Sequence, residues 1–269
     1  MKNLILIFLI ILFAVGCAEF NVVKNYTPIE FQVIREIELE FTPAKCIYSN
    51  VDKTFFIWQK DTNLIHIFKN GIRMNTVGGT GSELSNLSQL SDIALSPDGN
   101  LLALDSFQKK IIKYDRDGKY ITSFNLQEFK EPALLAVAAD ETFYIYDDFL
   151  NEIIATRDFI ENNWFVFGSH EIENPFGLCV TLDQILIFET NSTLIYNTLG
   201  QIENRYNESY LVDKNQRYSV IGNVIQHKSS GKKFTPSTKI WHSFSINSGI
   251  IILTAQNHIL VGKFIYEVN

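Results

Sequence analysis

Asp105, Asp147 and Glu189 stand at a fixed interval of 42 residues (147 − 105 and 189 − 147). Acids so spaced suit two jobs. They can ring a cation, or each can sit at a strand end, accept hydrogen bonds from nearby backbone amides and fix a turn. The turn role is the expected one, because the position recurs in three successive segments with Gln59 in its place in the segment before. Five histidines, His66, His170, His227, His242 and His258, are the other candidates for metal or acid–base work. The closest two are fifteen apart (242 − 227), which is no local metal-ligand spacing. There is no Gly-x-Ser-x-Gly, no His-Glu-x-x-His and no phosphate loop. Gly78-Gly79-Thr80-Gly81 is Gly-rich but opens no helix pattern, so it reads as a loop. No catalytic, cofactor-binding or metal-binding residue is therefore assigned, and the chain is not expected to be an enzyme.

Cys17 is the residue whose setting does call for chemistry. Met1-Lys2-Asn3 carries one positive side chain, Leu4 to Phe13 is unbroken apolar sequence, and Ala14-Val15-Gly16 leads into Cys17. A basic start, an apolar stretch and small residues at a cut are the three parts of a secretory signal. The apolar run is shorter than the roughly 20 residues a membrane span needs. Ala14 to Cys17 resembles the lipobox of bacterial lipoproteins, although that family prefers Leu where Ala14 stands. The resemblance implies cleavage after Gly16, diacylglycerol on the Cys17 thiol, and acylation (palmitate) of the new N-terminus. The competing reading is an ordinary secretory signal with an incidental Cys, or an uncleaved anchor. Several buried acyl chains, at about 0.8 kcal/mol per CH₂, would hold the protein on a membrane. Ala18 rather than Asp follows the Cys, which by the same resemblance favours the outer membrane of a Gram-negative envelope.

Loss of Lys2 with residues 1–16 takes the formal charge from −7 to −8. That balance argues against nucleic acid as a partner. Cys46 and Cys179 remain after Cys17. They fit no metal spacing, and both are expected as buried free thiols near the first strands of opposite repeats.

The element pattern that must position all of these is a repeat. Ile93 to Tyr114 aligns without a gap on Ile47 to Phe68 at an offset of 46 (93 − 47). Further copies run from Ala136 to Thr156 and from Gly177 to Asn197. Each unit reads as four short strands joined by turns, the clearest being Asp98-Gly99 and Asp115-Arg116-Asp117-Gly118. Asp-Gly between apolar runs is a hairpin signal because its residues tolerate φ > 0. Second strands are rich in large aromatics such as Phe55, Trp58, Phe143, Tyr144, Tyr146 and Phe188, expected to pack between repeats. Four-stranded units recurring every 40–45 residues or so are the pattern of β-propeller blades.

Val77 to Asn125 resembles an NHL-type repeat through Gly78, Gly79, Gly81, Asp105, Asp115 and Gly118, with Gln108-Lys109-Lys110 where that family carries Asn-His-Arg. The resemblance implies an all-β propeller over residues 30–269, behind a tether at 17–29. Ile240 to Glu267 supplies three strands in a row, and Val33 to Phe41 is a strand with no partners of its own, so this N-terminal strand is expected to complete the last blade. Between Asn207 and Ser237 lies a degenerate blade with Tyr218 to Ile225 as strand. That makes six blades; five plus an insertion is the alternative. The function expected is a membrane-anchored envelope lipoprotein whose propeller binds or scaffolds a protein partner without catalysis and without cofactor. The alternative is a metal-dependent hydrolase or lyase, or a ligand binder, working at the mouth of the central channel. Apolar groups at Asp147-Asp148-Phe149-Leu150 and at Phe159 to Trp164 either anchor a partner or bury their own loop ends.

Overall fold

The computed structural model describes residues 26–160, 163–181, 183–214, 216–241, 243–247 and 249–268. Strand β1 (Tyr26–Glu38) leads into blade 1, made of β2 (Pro43–Ser49), β3 (Thr54–Gln59), β4 (Leu64–Lys69) and β5 (Ile72–Gly78). Blade 2 is β6 (Leu90–Leu95), β7 (Leu101–Asp105), β8 (Lys110–Tyr114) and β9 (Tyr120–Asn125). Blade 3 is β10 (Pro132–Val137), β11 (Phe143–Asp147), β12 (Glu152–Thr156) and β13 (Phe165–Phe167). Blade 4 is β14 (Pro175–Val180), β15 (Gln184–Glu189), β16 (Thr193–Asn197) and β17 (Ile202–Tyr206). Blade 5 is β18 (Leu211–Asp213), β19 (Gln216–Ile221), β20 (Val224–His227) and β21 (Lys233–Phe234). Blade 6 takes β22 (Ser243–Asn247), β23 (Ile250–Ala255) and β24 (His258–Val268), and β1 joins as its outer strand.

All six sheets are antiparallel and four-stranded, so the fold is a six-bladed propeller and the five-blade alternative falls away. Closure runs through β1 and β24, from Tyr26↔Val268 to Glu38↔His258. The closing strand sits earlier than expected: it runs from Tyr26 to Glu38, and the Leu39 amide bonds the Asn257 carbonyl just past its end. Residues 26–29 thus belong to the sheet rather than to a tether. In blade 5, Tyr218 to Ile225 is two strands rather than one. Gly222, with φ 60, turns the chain between Ile221 and Val224.

Six hydrophobic clusters fill the seams between neighbouring blades. In β3, Phe56 enters the blade 1–2 cluster while Phe55 and Ile57 enter the blade 6–1 cluster. Successive strand residues face opposite ways, and a blade is covered on both sides. Second strands are therefore apolar at consecutive positions, as in β7, where all five residues are buried. Each such side chain contributes about 1.5–3 kcal/mol through burial. At the axis, Lys45 Nζ lies 2.6 Å from Asp92 Oδ1, and Asp92 Oδ2 accepts the Leu135 amide at 2.9 Å. These bonds lace the inner strands of blades 1, 2 and 3.

The up-and-down course of each blade gives the ring two faces. One carries the turns between first and second and between third and fourth strands; we call it the hairpin face. The other, the crossover face, carries the turns between second and third strands and the connections from blade to blade. Strand β1 begins at the hairpin face.

Candidate functional site

The recurring acids build the crossover face from within. Asp105, with none of its surface exposed, accepts the amides of Ser88 at 2.6 Å, Gln89 at 3.3 Å and Gln108 at 2.8 Å. Asp147 does the same for Lys130, Glu131 and Leu150, at 2.7, 3.1 and 3.1 Å. Glu189 accepts the Glu173 amide and the Ser192 hydroxyl. Each carboxylate fastens the incoming inter-blade connection to the next turn of its own blade. They are turn-fixing groups, each engaged with its own blade, and a buried amide needs such an acceptor. Two third-strand tyrosines add to this. Tyr114 donates to the Ser85 carbonyl and Tyr196 to Glu171 Oε2, again on the connection entering their own blades.

With the loops held by buried carboxylates, apolar side chains ride on their tips. Phe107 lies two residues after Asp105 and Phe149 two after Asp147; they are 74% and 72% exposed. Phe176, at an irregularity in β14 on the same side, is half exposed. Acids outnumber bases on this rim: Asp148 adjoins Phe149, Glu128 and Glu131 flank the connection into blade 3, and Glu171 and Glu173 the connection into blade 4, against Lys109 beside Phe107 and Lys130.

The sequence singled out Phe149 but not Phe107, although the two occupy the same repeat position. Aligning the acids of successive blades would have found it. Phe159 and Trp164 prove to be half-buried loop ends packed on the blade 2–3 cluster. Phe159 packs on Phe124 and Phe143, with centroids 5.0 and 4.9 Å away, and Trp164 lies 4.6 Å from Phe129. The second-strand aromatics Phe55, Phe143, Tyr144, Tyr146 and Phe188 are all buried in the seams.

The described histidines do not converge. His66, His227 and His258 each lie in the third strand of a blade. His66 bonds Gln59 and Thr76, and His227 bonds Gln216 and Ser230. His258 Nε2 is 3.1 Å from Glu36, and His170 is exposed on the connection into blade 4. His242 lies outside the described residues, as do Cys17 and the rest of residues 1–25. Among the described residues, no three His, Cys, Asp or Glu side chains gather in a metal-holding group.

Cys46 and Cys179 are free thiols. Cys179 Sγ lies 3.5 Å from the Ile246 carbonyl and Ser245 Oγ donates to the Cys46 carbonyl at 3.0 Å, so β22 touches inner strands on both sides of the axis. Burial pushes the Cys179 thiol up to about 11 against the opposing charge of Lys45, and burial raises Cys46 further. Neither is a ready nucleophile.

A model of the DUF5128 family, described as a 6-bladed beta-propeller, matches residues 31–202, well over half of the chain. No curated protein matches it. Among solved structures, a gluconolactonase from Xanthomonas campestris is similar at 10% identity and a TM-score of 0.57, over 90% of this chain and 98% of that one. Virginiamycin B lyase from Staphylococcus aureus is similar at 14% identity and a TM-score of 0.55, over 88% and 100%. A streptogramin B lyase follows at 13% and 0.54, over 82% and 78%. At such identities the likeness shows the fold alone.

Proposed function

Starting from a chain that belongs to the DUF5128 family of 6-bladed beta-propellers, we propose that it is a lipid-anchored bacterial envelope protein whose crossover face docks a protein partner without catalysis. The repeat itself we read as NHL-type. The observation that carries the reading is the pair Phe107 and Phe149, at equivalent positions of adjacent blades, both about three-quarters exposed. Exposed aromatics on a rigid platform are the side chains that anchor protein interfaces, and a single one can supply about 2 kcal/mol or more of binding. The acids around them favour a partner with a basic rim around apolar pockets. The first described strand, β1, begins at the hairpin face, which fits an anchor that leaves the crossover face free for a partner. A ligand or metal at the channel mouth has less behind it, because Lys45 and Asp92 at the axis are already engaged with each other and with the Leu135 amide.

Two variants test this. Cys17→Ser should lose acyl labelling and leave the membrane fraction; unchanged acylation refutes the anchor. Phe107→Ser with Phe149→Ser, in the acylated chain, should lose the protein that co-purifies from detergent-solubilised envelope while the melting temperature holds. Undiminished co-purification would refute the docking face.

A further inference from the structure

Blade 3 departs from the repeat on the hairpin face. Blades 1, 2 and 4 join their third and fourth strands through tight turns at Asn70-Gly71, Asp115 to Gly118 and Asn197 to Gly200. Blade 3 instead runs a longer connection from Arg157 to Trp164, and its outer strand β13 is only three residues long. Phe159 and Trp164 fasten that connection to the blade 2–3 seam. Phe159 does so at φ 59, a left-handed conformation costly for a bulky side chain and one that tends to mark functional segments.

The connection therefore leans toward blade 2, and a cleft of about 700 Å³ opens at the seam toward blade 4. That volume lies within the range of small-ligand sites, roughly 300–1,000 Å³. Buried Tyr144 and Ala155 line the cleft from within, with Ala138 and Val180 half-buried beside them. Thr142, Thr181 and Thr198 stand around it, while Thr156 lies buried beneath and accepts the Phe159 amide. Phe165, partly exposed at the start of β13, forms an aromatic wall.

The cleft holds one cation, Arg157, and two carboxylates, Asp140 and Asp158. Arg157 donates to Asp140 through one guanidinium nitrogen and to Thr142 Oγ1 through Nε at 2.9 Å. Burial pushes the Asp140 carboxyl up, but the bonds from Thr142 and Arg157 outweigh it and hold the group below its usual range. Asp158, bonded to the Asn163 amide at 2.7 Å, adds a carboxylate at the edge. A ligand here meets many donors and acceptors, an aromatic face and no uncompensated positive charge. Sugars fit that description: their hydroxyls can bond Thr198 and the exposed Arg157–Asp140 pair, and ring C–H groups can lie against the negative face of Phe165.

We propose that the cleft between blades 3 and 4 binds a short, uncharged oligosaccharide. The assignment is independent of the lipid anchor and of the docking face. It is tested by calorimetric titration of the full chain in detergent with maltotriose, cellotriose and chitotriose, and with trigalacturonate as the anionic counterpart. At least one neutral trisaccharide should bind. Phe165→Ala and, separately, Arg157→Gln should each weaken that binding roughly tenfold or more at an unchanged melting temperature. Trigalacturonate should bind at least tenfold more weakly, a gap of about 1.4 kcal/mol. Binding of none of the three neutral sugars, equal binding by both variants, or preference for trigalacturonate would each overturn the proposal.

Discussion

The two faces of the ring solve the same problem, how to reverse a strand, by different means. On the hairpin face the turn is closed by its own residues. Asp115 Oδ1 accepts the Asp117 and Lys119 amides, and Gly118 takes φ 89. Asn197 repeats the device for Leu199 and Gln201. On the crossover face, buried carboxylates reach out of second strands to hold loops that are not themselves regular. A self-closed turn constrains its own sequence. A loop held from beneath is free at its tip, and that is where Phe107 and Phe149 stand. Blade 3 is the instructive exception on the hairpin face, since a long connection there replaces the turn and leaves a cleft beside it.

The largest effect should come from removing a support of the crossover face. Asp147→Ala leaves the Lys130, Glu131 and Leu150 amides without their acceptor. A loss of about 3 kcal/mol or more is expected, since each buried unsatisfied group costs about 1–3 kcal/mol. Urea unfolding measures it, and Asp147→Asn, which keeps one acceptor oxygen, should lose less. Equal stability of wild type and Asp147→Ala would end the distinction between the faces. Next is Gly118→Ala. A Cβ at this position would sit 2.5 Å from Val77 and 2.8 Å from Ile67, at a φ that L-residues avoid. It should cost roughly 1–3 kcal/mol while leaving partner capture unchanged, because the damage stays on the hairpin face.

The docking pair should barely register in stability. Phe107→Ser with Phe149→Ser is expected to stay within about 0.5 kcal/mol of wild type per site, with the loss confined to binding. The smallest effect is that of acid. Burial, with Arg73 nearby, holds His66 below its usual range, and burial does the same for His227. Between those lowered values and 6.5 the unfolded chain binds more protons than the folded one. Stability is therefore complete above that window and falls as pH drops through it. His66→Gln and His227→Gln should each flatten the decline in melting temperature on acidification below neutrality. An unchanged slope in both would show that the protons go elsewhere.

The blade pattern was legible because both elements of the repeat are local: an Asx-to-Gly turn needs φ > 0, and a second strand buried on both sides reads as consecutive apolar residues. The acids at 105, 147 and 189 were legible for the same reason, and their turn-fixing role follows from position. Blade 5 was harder. Its turn rests on Gly222-Asn223 within an apolar run, and its first strand is three residues long, so periodicity merged two strands into one and lost His227 from its third-strand place. The cleft between blades 3 and 4 was not legible at all. It depends on which seam Phe159 and Trp164 choose, and that is settled by tertiary packing against Phe124, Phe129 and Phe143.

The measurement that goes straight to the central claim is hydrogen exchange on the full chain, free in detergent and then after incubation with detergent-solubilised bacterial envelope. Slowed exchange at 106–109 and 148–151, with the hairpin-face turns at 98–99, 115–118 and 198–200 unchanged, is the predicted result. Protection of those hairpin-face turns, with the two aromatic tips exchanging as fast as before, would contradict it.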